Sequence, residues 1–318
     1  MRAARWKRLY GMMIVCIVAM GILPPLAFAN TTTYPVFKMD SAASAIIRYV
    51  HPNFEKHATN SVSQGGLSQQ LAGSASDHVN VLYQQVLQWR DTVKPQLKQV
   101  SEEITQYDST FQNVYATILK DVSAQNKQQL LTSLKQIQTA FTRQKEKVSS
   151  LANTLTSFRN NLTNHSQVLM QDFNKIKAEK EGYRAPREAE LKETFKDNPE
   201  RLKTALLQLN GETSRLFGTL ETKLNYVTDA DAAGGLATFV EDMKTNWSSV
   251  DAKLKNIIQQ VETTAGSIDS AFLQSELKTV ETAWNGIIEK ADRLGNEYKY
   301  SKQTVPNMEP WVIIPDWV

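Results

Sequence analysis

The sequence predicts an all-α protein, an elongated bundle of about five long antiparallel amphipathic helices. Three observations carry this. Apolar residues recur at alternating spacings of three and four over stretches of tens of residues, which keeps one stripe facing one way on a helix and would scatter across both faces of a strand. The chain has only 13 Gly and 10 Pro in 318 residues, too few breakers for an all-β protein. Finally, the breaks between stripes fall at turn-forming clusters, so each run can fold back on its predecessor.

Residues 1–29 read as a signal peptide. Arg2, Arg5, Lys7 and Arg8 form a basic start, Met12 to Ile22 an apolar stretch, and Ala27-Phe28-Ala29 a small-residue cleavage site. An uncleaved anchor is disfavoured, because the apolar run is short for a span and is broken by Pro24-Pro25. Val15 precedes Cys16, which argues against a lipoprotein anchor. Cys16 is the only cysteine, so the mature chain would carry none, as suits a bacterial secreted protein whose core needs no disulfide. Removing the four basic residues from the chain's 36 Lys and Arg leaves 32 against 33 Asp and Glu. The apparent basicity belongs to the export signal, and no nucleic acid partner is expected.

In residues 30–74, Ile46, Ile47 and Val50 suggest one short amphipathic helix, and the Ser/Gln/Gly-rich stretch Asn60 to Gln70 a loop. The long-helix bundle is placed at 75–299. Its first run carries Val79, Leu82, Val86, Trp89, Val93, Leu97, Val100, Ile104, Tyr107, Phe111, Val114, Ile118 and Val122; Pro95 falls inside it and predicts a kink, because the stripe keeps its phase beyond. The second run extends from Leu130 to Ile176. A third, less regular run has Leu202, Leu206, Leu209, Leu216, Leu220, Leu224 and Val227. The fourth spans Leu236 to Val261 and the fifth Ile268 to Tyr298. Stops are expected at Gly182 ahead of Pro186, at Asp231 to Gly235 and at Gly266-Ser267, with a helix starting at Asn198-Pro199. Trp89, Trp247 and Trp284 lie on the stripes and read as core. From Tyr300 the chain carries Pro306, Pro310 and Pro315, which predicts an extended apolar tail over 300–318.

Catalytic constellations are absent from the sequence, and no enzyme activity and no cofactor or metal is expected. The four histidines form no H-E-x-x-H pair and adjoin no G-x-S-x-G elbow, and His165 in a polar stretch reads as solvated. Gly65-Gly66 and Gly234-Gly235 lack a P-loop lysine and read as turns. Clusters such as Glu188 and Glu190 sit among cations, as on a solvated face. Two regions stand out as interaction candidates. One is the charged connection Glu179 to Lys203. The other is the Trp/Pro tail, read either as a strap across the bundle or as a set of aromatic anchors.

The Trp89-Arg90-Asp91-Thr92-Val93-Lys94-Pro95-Gln96-Leu97 stretch, with Tyr107, Phe111 and Tyr115 downstream, and Phe239-Val240-Glu241-Asp242 ahead of Trp247, give the chain a recognisable cast. It resembles components of the haemolysin BL and non-haemolytic enterotoxin family, relatives of cytolysin A, over most of residues 40–298. The resemblance implies α-helical pore-forming toxins whose activity is shared among two or three secreted components, with a head inserted between two long helices. It places that head between Ile176 and Leu224, about residues 179–215, where this chain has no long apolar run. Glu179–Lys203 cannot enter a bilayer, because each charged side chain costs a few kcal/mol at its centre. The chain therefore reads as a member with a reduced head, the hydrophilic partner acting in a hetero-oligomer with related toxin components and touching the target-cell membrane indirectly. The alternative is a secreted helical-bundle interaction or surface protein without lytic action. Candidate membrane or partner contacts are Leu202, Leu206, Leu209, Leu216 and Phe217 in the head-like segment, and Trp311, Ile313, Ile314 and Trp317 in the tail.

Overall fold

The structure, a computed structural model, describes residues 35–225 and 231–304. The signal-like segment, Cys16, Val227 and the tail residues Trp311, Ile313, Ile314 and Trp317 lie outside the described residues. Nine α-helices are described: α1 Pro35–Ala45, α2 Phe54–Ser63, α3 Gln69–Gln88, α4 Lys94–Ser123, α5 Lys127–Thr194, α6 Pro199–Thr213, α7 Thr219–Asn225, α8 Asp231–Thr263 and α9 Ser270–Thr304, with α1, α3 and α6 each running on into a π-helical turn; counting α3 and α4 with their turn as one rod leaves the expected five long runs. There is no strand among the described residues. α5 alone is 68 residues, roughly 100 Å at the helical rise.

Antiparallel packing follows from the pairs along each interface. As α5 advances from Lys127 through Lys135 to Lys145, its partners retreat from Thr264, just past the end of α8, through Glu262 to Asp251. On the other side Ser101, Asp108 and Tyr115 of α4 meet Ala291, Trp284 and Glu281 of α9. The core runs the length of these four helices. At its middle each contributes an aromatic: Phe111, Phe141, Trp247 and Trp284, all fully buried. Ring centroids are 4.8 Å apart for Phe111–Trp284, 5.0 Å for Phe141–Trp247 and 5.6 Å for Trp247–Trp284. Such tilted and edge-on contacts favour the rings beyond their burial alone. The stripes read from the sequence are these buried faces: Val79, Leu82, Val86, Trp89, Val93, Ile104 and Ile118 in one rod, and Leu236 through Val261 in α8.

The prolines account for most differences from the sequence reading. Pro95 does not end its helix. A π-helical turn, Trp89–Val93, precedes it, with the Lys94 N–H bonded to the Trp89 carbonyl. The wider turn accommodates a ring that would otherwise press on the carbonyl four residues back. The same arrangement precedes Pro52: Ile46–Val50 is a π-helical turn, and His51 N donates to Ile46 O at 2.9 Å. There the chain does turn, with Asn53 at φ 58° before α2 begins.

The stop expected at Gly182 and Pro186 is a correction. α5 continues through both to Thr194. Gly182 stands at the position four residues before the ring, Arg187 Nη1 supports the Tyr183 carbonyl at 2.9 Å, and Tyr183 is buried against Phe217, so packing holds a helix that local preference would interrupt. The connection is thus not Glu179–Lys203 but the short turn between Thr194 and Pro199, where the Asn198 side chain caps α6 as expected. Gly234-Gly235 also lies inside α8 instead of forming a turn. The Asn60–Gln70 loop shrinks: α2 reaches Ser63, and α3 starts at Gln69 behind the Ser68 cap. α9 reaches Thr304, so residues 300–304 are helical, and the buried Ser301 hydroxyl is tied to Asp40.

Candidate functional site

The head-like region is a hairpin made by the outer part of α5 with α6 and α7. Pro199 is well suited to the first turn of α6, since its missing N–H would have no partner there. Leu202 and Leu206 are half-buried, whereas Leu209 is buried. Between α6 and α7 the π-helical turn Ser214–Gly218 swings Leu216 and Phe217 inward, 4% and 0% exposed. Tyr183 of α5 meets the Phe217 ring at 6.0 Å. Of the five head residues singled out from the sequence, the structure therefore brings Leu209, Leu216 and Phe217 into the core and leaves Leu202 and Leu206 at its edge. Leu207, which sequence reasoning missed because it lies off the stripe, is 63% exposed.

Polar pairs frame this small apolar centre. Glu179 accepts from Ser68 N at 2.6 Å and from Ser68 Oγ at 2.5 Å, placing a carboxylate at the positive end of α3. Asp172, buried, pairs with His78 at 2.6 Å. Lys180 reaches Glu221 at 2.6 Å. The Tyr183 hydroxyl donates to Glu212 at 2.6 Å, which together with burial raises the phenol above its usual range, and the Arg187 guanidinium lies 3.6 Å over the ring. Glu188 is held below its usual value by Lys192 and Arg184, the solvated helix face expected there.

The N-terminal segment covers the centre from outside. α2 packs on α7 and on the 214–218 turn, burying Phe54 and Ala58. The Gly65-Gly66 turn, a turn as expected, closes against it: Gly65 has φ +70°, and a Cβ on Gly66 would come within 3.1 Å of Leu216 and 2.9 Å of Ser61 Oγ. Both glycines are required by geometry, one for its backbone angle and one for close approach. The Lys223 ammonium of α7 donates to the carbonyls of Tyr49 and Pro52, each at 2.7 Å, and burial lowers its pKa. Neither contact was visible in the sequence, since a lysine bound to backbone carbonyls 170 residues away leaves no pattern.

A second polar centre pins α1. Asp40, 1% exposed, accepts from Trp89 Nε1 at 2.8 Å, from Lys94 Nζ at 2.6 Å and from Ser301 Oγ. Beside it Glu297 of α9 accepts from Val36 N at 3.0 Å, and burial pushes this carboxyl up to about 7.

No helix among the described residues is long and apolar enough to cross a membrane. Nor do the described residues contain a group of three or more His, Cys, Asp or Glu placed to hold a metal ion.

A disulfide-free bundle of very long helices, with a two-helix hairpin projecting at one end and its apolar centre covered by the N-terminal segment, defines an all-α class in which the hairpin is the distinctive part. Residues 31–186 match the model of the Bacillus haemolytic enterotoxin (HBL) family, so the resemblance to haemolysin BL components is borne out. The fold is similar to that of the HblL1 toxin component of Bacillus cereus, with TM-score 0.56 at 14% identity over 83% of this chain and 94% of that one. It is also similar to the AhlB pore of the tripartite α-pore-forming toxin AHL from Aeromonas hydrophila, with TM-score 0.55 at 12% identity over 83% and 99%. The pre-pore of the same AhlB gives 0.54 at 12% identity, over 83% and 92%. At such identities the likeness is one of fold. No curated protein matches the sequence.

Proposed function

We propose that the protein is an exported component of a multi-component α-helical pore-forming toxin, acting as its hydrophilic partner with related components at a target membrane. The observation that carries this is the match of residues 31–186 to the haemolytic enterotoxin family. The fold likeness to HblL1 and AhlB supports it. The hydrophilic role is supported by the head. Its apolar content is small, Leu209, Leu216 and Phe217 are covered, and α5 brings Glu179, Lys180, Arg184, Arg187, Glu188 and Lys192 to the same end. A hairpin so charged would enter a bilayer only within an oligomer that hides its polar face.

Export is supported by the basic, apolar and small-residue blocks of residues 1–29. The bundle supplies rigid helical faces, and the proposal assigns it no catalysis.

Vesicle flotation tests the partnership. The full chain, incubated with phosphatidylcholine–cholesterol vesicles, is expected to stay largely unbound alone and to float with them when a related component with an apolar head is added. Flotation that never depends on a second component would contradict the partner role. A chain that binds neither vesicles nor any component would favour a non-lytic interaction protein instead.

A further inference from the structure

The hairpin's apolar turn is covered by a segment that one cation secures. Lys223 holds the two carbonyls that flank His51 along the chain, those of Tyr49 and Pro52. His51 itself lies flat on Tyr83, ring centroids 3.9 Å apart, and its Nε2 is 3.1 Å from Asn80 Oδ1. Immediately beyond, Asn53 takes the left-handed conformation, so the chain turns sharply between His51 and α2. We propose that His51 and Lys223 form a proton-operated latch, in which protonation of His51 releases α2 and the Gly65-Gly66 turn and uncovers Leu216 and Phe217. The latch rests on the toxin reading only for its use at a membrane.

The chemistry follows from what surrounds the ring. From α3 it meets the Asn80 amide and the Tyr83 ring. Asp77 and Glu55 line the groove that Asn80 also lines. From α7 the nearby charge is Lys223, while Glu221 is turned to Lys180. Arg48 and Lys56 add positive charge on the segment itself. Burial first, and the Lys223 ammonium with it, hold His51 below its ordinary value of 6.5, outweighing the bond to Asn80. The neutral ring therefore belongs to the closed state. Its contribution is complete above about pH 6.5 and is lost as pH falls through the lower value in the closed form. A proton then sets a second cation beside Lys223 at a partly desolvated site, and the turn at Asn53 is the nearest place where the chain can give to relieve it.

The other end of the segment responds in the opposite sense. Glu297, raised to about 7 by burial, holds Val36 N. Acid keeps that carboxyl neutral, so α1 stays fixed to α9 while α2 lifts. The N-terminal segment would swing from a fixed root instead of dissociating.

Amide hydrogen exchange of the full chain, corrected for intrinsic rates, tests this in solution without membranes. Between about pH 7.5 and about pH 5.5, residues 54–66 and 214–218 are expected to exchange on the order of tenfold faster, with α4 unchanged. His51→Gln keeps a donor for Asn80 and does not titrate, so it should stay closed at both pH values. Asn80→Asp gives the charged ring a partner and should also lose the acid response. Equal exchange in the wild type at both pH values, or opening of His51→Gln like the wild type, would overturn the latch. Dye release with a partner component separates the two ideas. Release with no acid-induced exchange leaves the toxin reading and removes the latch. Acid-induced exchange with no release under any condition leaves the latch and removes the toxin reading.

Discussion

The Trp89 indole N–H donates to the buried carboxylate of Asp40 at 2.8 Å, tying α1 to the turn that precedes Pro95. Lys94 and Ser301 complete the same carboxylate's partners, so one residue joins α1, α4 and α9.

Replacing that acid strands a buried cation, an indole N–H and a hydroxyl together. Asp40→Ala is expected to destabilise the protein by about 3–5 kcal/mol, the range for breaking one side of a buried ion pair. Adding Lys94→Met should recover part of this, because the double variant no longer buries an unpaired charge. Urea unfolding of the four proteins measures both. Strict additivity would show that the pair does not interact.

The carboxyl of Glu297 gives a pH signature. Its value in the folded state, about 7, lies above the ordinary 4.5. The folded state therefore favours the protonated form; that contribution is fully present below about 4.5 and is lost as pH rises through about 7. Glu297→Gln does not titrate. The stability of the wild type relative to this variant should fall between these pH values and level off above them, read from unfolding midpoints. A constant difference across the range would contradict the burial of the group.

At the middle of the bundle, Phe141 touches Trp247 and Trp284 at 5.0 and 5.1 Å and is fully buried. Phe141→Ala is expected to cost about 3–5 kcal/mol. Thermal unfolding checks this, and a loss below about 1 kcal/mol would mean that the rings do not share one core.

Two glycines should behave in opposite ways. Gly182 has nothing within 4 Å of a would-be Cβ and lies inside α5. Gly182→Ala is expected to stabilise by about 0.5–1 kcal/mol. Gly66→Val overfills the contact with Leu216 and Ser61 and should cost about 1–3 kcal/mol. Chemical denaturation of both variants tests the pair, and destabilisation by Gly182→Ala would show that α5 does not run straight through that position.

These sites also show what was legible beforehand. The stripes through Trp89, Trp247 and Trp284 are read directly, because burial of one helical face writes a period into the sequence. Pro186 misled, since a proline states a local preference, and the packing of Tyr183 on Phe217 that overrides it comes from a residue 34 positions further on. Asp40 carried a weak hint. A tryptophan on a buried stripe often finds a partner for its N–H, as Trp89 and Trp284 do, but nothing local indicates which acid supplies it. Lys223 and Gly66 carried none, because their partners are backbone carbonyls and a leucine methyl group brought near only by the fold.

In the proposed role the chain contributes to a membrane pore together with other components. Release of an entrapped dye from cholesterol-containing vesicles measures it most directly, with the full chain alone, a related component bearing an apolar head alone, and the two mixed. Little release is expected from this chain by itself and rapid release from a mixture. The absence of release in every mixture, with no membrane-bound oligomer formed, would contradict it.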